Sequence, residues 1–411
     1  TGDIRISSSS PQFDLDLDRQ ITAKSILSSP LSSSISSNTN GQGNAGGITI
    51  DTQNRGKLSL FGGGTISSGI GKNAVGKGNG IKISAQAVDL IDGGTISTSN
   101  VGGKGDAGNI RIDTIGDISL LSSLPRSTNI KYFSAINTDT FGQGNAGKIT
   151  IDTQNRGKLS LSNGASISSG IVRNAVGNGG GIAISAREID LQNRSYISTS
   201  NSGGKGDAGS IDLKTTGDIN IFGSIPGSTG LMTQNSNLSF ISSTTSGQGN
   251  AGNITIDTQD RGKLLLDRVF ISSLIDEKGV GNGGNIKISA REIDLRNRST
   301  ISSSNFGGKG DAGNIDLKTI GNISLFGSFI SSNTSGQGNA GNITINTQDR
   351  GKLSLDRAEI ASTIEGQKAV GNGGKIAISA REIDLRNRSF IDSSNVGGKG
   401  DAGNIDIKTI G

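Results

Sequence analysis

The residues best placed to do chemistry are four aspartates, Asp106, Asp207, Asp311 and Asp401, each held in the phrase GKGDAG. That phrase and its sister GQGNAG satisfy G-x-G-x-x-G, which cradles a pyrophosphate when it follows a strand and opens a helix. Here it precedes an Ile-x-Ile run with no helical stripe behind it, so the glycines are expected at a corner between strands. Gly142 to Lys148 nearly meets the P-loop spacing, but Ile149 stands where a hydroxyl must hold magnesium. Gly307 to Ile315, GGKGDAGNI, resembles the calcium nonapeptide with Asp311 one position early. Asp14, Asp16 and Asp18 imitate the start of an EF-hand loop, yet Arg19 replaces its glycine, and alternation with Leu15 and Leu17 reads as a strand. The Lys-Gly-Asp tripeptide, from Lys104, Lys205, Lys309 and Lys399, can be read as integrin-binding, but its recurrence at one turn favours a structural role.

Other chemistry is harder to place. With no histidine and no cysteine, imidazole-dependent nucleophiles and thiolate metal sites are excluded. A carbohydrate-active enzyme could still work through a carboxylate pair. Such a pair is a one-off cluster, whereas this chain repeats its carboxylates, so no enzyme, catalytic residue, metal or cofactor is expected.

What must position these residues is a repeat. The glycine phrase followed by Ile-x-Ile or a close variant recurs twelve times, and from Ile254 the next opening isoleucines are Ile286, Ile315 and Ile343, steps of 32, 29 and 28 residues. A period of this size marks a stacked-repeat fold in which neighbours complete each unit's core. The unit from Ile286 reads IKIS, REIDL, STISSS: three short runs of alternating aliphatic and polar residues, punctuated by Gly, Asn and Ser. The expected fold is therefore all-β, a right-handed parallel β-helix with three short strands per coil of 28–33 residues and about 13 coils. Inward columns are read as Ile286 and Ile288, Ile293 and Leu295, and Ile301 in one coil, with equivalents in the others. Lys287 and Asp316 should be outward cross-strand neighbours, and aspartates three coils apart, at about 14 Å, could not share one ion.

Composition agrees: 66 glycines with 3% aromatic and 31% hydrophobic residues suit a rod needing only an axial column of Ile, Leu and Val. The net charge of +5 arises from 40 basic against 35 acidic residues without any basic block, so no nucleic-acid partner is expected. No apolar run of membrane-spanning length occurs, so no membrane insertion is expected of this segment.

Three unit types alternate in strict order, marked by DTQxRGKLSL, SAREIDLxNRS and KTxGxIxL, so 1–411 reads as a single solenoid made by duplicating a three-coil cassette. Both ends fall in mid-coil, which predicts a segment of a longer repetitive protein. Unpaired strands there predict self-association, end to end or lateral. The rhythm breaks before four of the GQG phrases, where insert loops are expected at 7–40, 121–141, 222–246 and 326–335. All four prolines and the only methionine fall in them, and their shared phase would place them on one side of the rod. Arg126, Tyr132, Phe133 and Met232 are the candidate contacts there for surface polysaccharide or cells.

The glycine-turn, Ile-x-Ile arrays and wording such as GNAGNITIDT, KLSL and ISS resemble the repetitive shaft of bacterial surface exoproteins of the filamentous-haemagglutinin type, cyanobacterial members especially. The resemblance covers nearly the whole chain. It implies a right-handed β-helix, secretion through a two-partner outer-membrane route, and an adhesin or extracellular-fibre role at the cell surface. The resemblance does not extend to the amino-terminal secretion domain of that group, so the export route rests on the resemblance alone, and no catalytic or binding residue carries over. Two alternatives stand beside a structural shaft: a carbohydrate-binding module using the insert face, and a carbohydrate-active β-helix enzyme.

Overall fold

The computed structural model describes residues 2–7, 33–123, 133–223, 238–348 and 350–409. Three parallel sheets of twelve strands each run side by side along the molecule, and every strand pairs with its counterpart one coil away. The chain enters at a second strand, Ile4–Ser7, and its last strand is a first strand, Ile405–Thr409, so twelve turns are spread over thirteen coil fragments. At about 4.8 Å per turn the stack is roughly 55 Å long.

Alternation decides what each strand buries. In the coil from Ile286, Ile286, Ile288, Ile293, Leu295 and Ile301 are all buried, and the register continues them into Ile315, Leu317, Ile323, Leu325 and Ile330 of the next. The inward columns expected from the sequence are thus the core. Lys287 lies opposite Asp316 on the outer face, as their spacing requires.

The three unit types differ in the corner between first and second strands. It takes five residues in the first type (153–157), one in the second (Arg187) and three in the third (216–218). In the five-residue version Gln154 and Asn155 turn through the left-handed region, and the Thr153 hydroxyl closes the turn by donating to the Gly157 carbonyl at 2.8 Å. The corner before each first strand is the glycine phrase. Serine hydroxyls fasten the end of the third strand to it: Ser243, Ser273, Ser303 and Ser332 donate to the carbonyls of Gly209, Gly252, Gly284 and Gly313 at 2.5–2.6 Å.

The insert ranges need correction. Each contains an ordinary third strand: Ser34–Ser36, Ala135–Asn137, Ser239–Ser242 and Phe329–Ser331. The range 326–335 is accordingly no insert but a standard coil. These strands carry a single inward aliphatic each, too short an alternation to stand out from a serine-rich background. What exceeds the standard coil are 8–32, 124–132 and 224–237, which lie outside the described residues and share the corner between second and third strands.

Candidate functional site

The repeated aspartates and the glycines around them form a stacking device. Asp106 accepts from the Asn145 backbone N–H at 2.8 Å, Asn145 from Asn178, Asn178 from Asp207 at 3.0 Å, and Asp207 from Asn250. The chain continues through Asn282, Asp311, Asn339 and Asn372 to Asp401. Each side chain supplies the acceptor that the next coil's turn needs, which is why Asn and Asp interchange here. The glycines of the phrase face the same way. A Cβ on Gly142, Gly144 or Gly147 would lie 2.2, 2.1 or 1.8 Å from the carbonyl oxygen of Gly103, Gly105 or Gly108 in the coil beneath. G-x-G-x-x-G in this chain is therefore the pattern of three places where one coil rests directly on another.

The insert corner is next to the third sheet, whose outer face has its own character. Three columns run up it. The first, nearest the inserts, contains Tyr196, Phe240, Phe270 and Phe329, with Thr300 interposed before Phe329. Tyr196 and Phe240 stack with ring centroids 4.7 Å apart and planes 6° from parallel. The second is the serine column Ser198, Ser242, Ser272, Ser302 and Ser331. The third holds Ser200, Thr244, Leu274 and Ser304, and Phe306 rises beyond it, 45% exposed.

Together these columns make a trough. Between Phe240 and Phe270 on one side and Leu274 and Phe306 on the other lies a depression of about 370 Å³, with Ser242, Ser272 and Ser302 at its base. A second, about 260 Å³, occupies the same columns near the amino-terminal end, over Ser67, Ser97 and Ser99 and against Val101 and Lys72. The floor hydroxyls are linked: Ser200 to Ser242 at 3.0 Å, Ser302 to Ser304 at 3.1 Å, Ser331 to Ser302 at 3.1 Å. A hydroxyl has one proton and two lone pairs, so a chain of this kind keeps acceptor capacity toward the trough.

No family model, curated protein or solved structure matches the chain. Its site must be judged on its own geometry.

Charge separates the three faces. The second sheet's outer face carries ion pairs, among them Lys57 with Asp89, Lys158 with Asp190, and Lys352 with Glu382 and Asp384 at 2.7 and 2.9 Å. The hydrogen bonds from Lys352 and Arg386 hold the Asp384 carboxyl below its usual range, and those to Glu382 and Asp384 raise Lys352. The first sheet's outer face carries charges of both signs, as at Lys287 and Asp316. Across the five coils from Tyr196 to Ser331 the three trough columns hold no carboxylate, lysine or arginine; Asp276 stands at the rim, accepting from Ser246 at 3.1 Å.

One carboxylate does sit on this face lower down. Asp139 accepts from the Gly170 N–H and the Ser168 hydroxyl, each at 2.7 Å, but desolvation outweighs both and raises its pKa. Asparagine holds the equivalent place one cassette before, where Asn38 accepts from Gly69 and donates to Ser67. Glu359 is raised as well, by burial first and then by Glu365 and Asp392.

Of the candidate contacts, Phe133 is described: it is 48% exposed at the insert corner, its ring against Gly164. Arg126, Tyr132 and Met232, like Asp14, Asp16 and Asp18, lie outside the described residues. The trough itself escaped the sequence reading. Its signal was present in the third strands, whose outward residues stack as readily as the inward ones once ISTS, FISS and TISS are aligned.

Proposed function

We propose that this chain is the structural shaft of an extracellular adhesin or cell-surface fibre. The observation that carries the reading is continuity: three sheets pass through twelve turns without a break, so the ends of the segment are held apart at a fixed distance. Ladders of identical geometry in every cassette make length a simple multiple of coil number, which is what a spacer requires. The resemblance to filamentous-haemagglutinin-type shafts supports the same role and its place outside the cell. The edge strands of each sheet accept a further coil, from the same chain or from a second copy.

The test is length. Duplicating one cassette, residues 254–342, should extend the particle by about 14 Å in small-angle scattering without changing its cross-section. A particle that thickens or collapses instead would contradict the shaft. Antibody labelling of intact cells checks the location, and labelling seen only after lysis would contradict it.

A further inference from the structure

We infer that the outer face of the third sheet is a binding trough for a linear, uncharged polysaccharide lying along the rod axis. This goes beyond the shaft reading, which needs no ligand at all.

Three observations choose this occupant. The first is composition across the trough. Its base is hydroxyl, Ser242, Ser272 and Ser302, and its walls are carbon, Phe240 and Phe270 against Leu274 and Phe306. A sugar ring presents the same two chemistries, hydroxyls at its rim and C–H groups on its faces. Hydroxyl rows bond the first in either direction, and aromatic and aliphatic walls cover the second.

The second is charge. Two faces of this rod are set with lysines and carboxylates; across the central five coils the three trough columns of the third hold none, with Asp276 at the rim, and toward the amino-terminal end the strip meets Asp139 and Lys72. A charged polymer would be drawn to the other faces and would have to shed its water here without a partner. An uncharged one meets matched, replaceable hydrogen bonds.

The third is length. The two depressions lie in the same columns, one over Ser67 and Ser97 and the other over Ser272 and Ser302. From Ser97 to Ser302 the serine column spans six coil steps, about 29 Å at the stacking distance. A compact ligand would fill one depression; an extended chain engages both.

The test uses the whole chain and four soluble probes: a mixed-linkage β-glucan, a galactomannan, dextran, and polygalacturonate as the charged control. Binding is measured by affinity electrophoresis and titration calorimetry. Two wall variants, Phe270→Ala and Phe306→Ala, are compared with Thr255→Ala on the first sheet, all checked for parent-like circular dichroism. The expected result is retardation by at least one uncharged polymer, weakened tenfold or more by either wall variant, untouched by Thr255→Ala, and absent with polygalacturonate. Retention of none of the uncharged polymers overturns the proposal, as does binding that ignores the wall variants. Sedimentation of the same variants covers the rival occupant: if the parent pairs laterally and the wall variants do not, the face joins two rods and the polysaccharide assignment falls. Neither failure alters the length result that tests the shaft.

Discussion

Gly327 and Gly338 belong to successive corners of one coil, and they live under opposite constraints. Gly327 turns at φ +55°, and a Cβ there would meet nothing within 4 Å. Gly338 turns at φ +141°, and its Cβ would lie 2.0 Å from the Gly310 carbonyl oxygen. The first corner lengthens freely, from the single residue Arg268 to three at 193–195 and to the longer segments at 124–132 and 224–237. The second keeps its glycine at every rung from Gly43 to Gly400, always with positive φ. A solenoid tolerates variation where a corner faces solvent and forbids it where one coil rests on the next. Loop length and ligand recognition can therefore evolve on one side while the other maintains the rod.

The largest effect should come from breaking the resting corner. Gly338→Ala combines a forbidden backbone angle with a clash against backbone, and should cost about 3 kcal/mol or more. Gly327→Ala, in the ordinary left-handed region with open space, should cost about 1 kcal/mol. Chemical denaturation of the pair measures the difference, and equal losses would remove the distinction between the corners.

A smaller effect should follow from the ladder. Asn282→Ala leaves the Asp311 N–H without its acceptor, but that group lies near solvent, so about 0.5–1 kcal/mol should be lost. Asn282→Asp should be close to neutral, because Asp already holds this post at Asp207 and Asp311. A large loss with aspartate would mean that the amide nitrogen has a role the ladder does not assign it.

The smallest effect concerns Asp139 and has the opposite sign. Its pKa is raised in the folded state, so the native protein binds more protons than the unfolded chain between the ordinary carboxylate range and the raised value. Stability is therefore lost as pH rises through that window and stays lost above it. Asp139→Asn, copying Asn38, should melt slightly higher than the parent at neutral pH and equal to it in acid. A variant less stable at neutral pH would show that the carboxylate's two hydrogen bonds outweigh its burial.

Much of this was legible in the chain. Inward columns such as Ile293 and Leu295, and the outward pairing of Lys287 with Asp316, follow from period two and equal spacing alone. What the glycine phrase does not disclose is the direction of its Cβ vectors. That GQG glycines stack on the preceding coil, and that Asp and Asn share a ladder, depends on rotation about the rod axis, which a one-dimensional pattern does not carry. The third strands inside the insert ranges read as loop for a related reason: one inward isoleucine flanked by serines is a weak signal until its neighbours are laid beside it. For the same reason the trough, made of outward residues from separate coils, had no single stretch to announce it.

The most direct measurement places one insertion at each corner of the same coil. A four-residue Gly-Ser segment is added between Gly327 and Ser328, or between Gln337 and Gly338, and both proteins are followed by circular dichroism through thermal unfolding. The first should remain folded within about 0.5 kcal/mol of the parent, since loop closure costs little and no ladder is cut. The second should lose cooperative unfolding, because every ladder above it is shifted off register. If both insertions were tolerated, or both destructive, the division of the rod into a resting side and a free side would be contradicted.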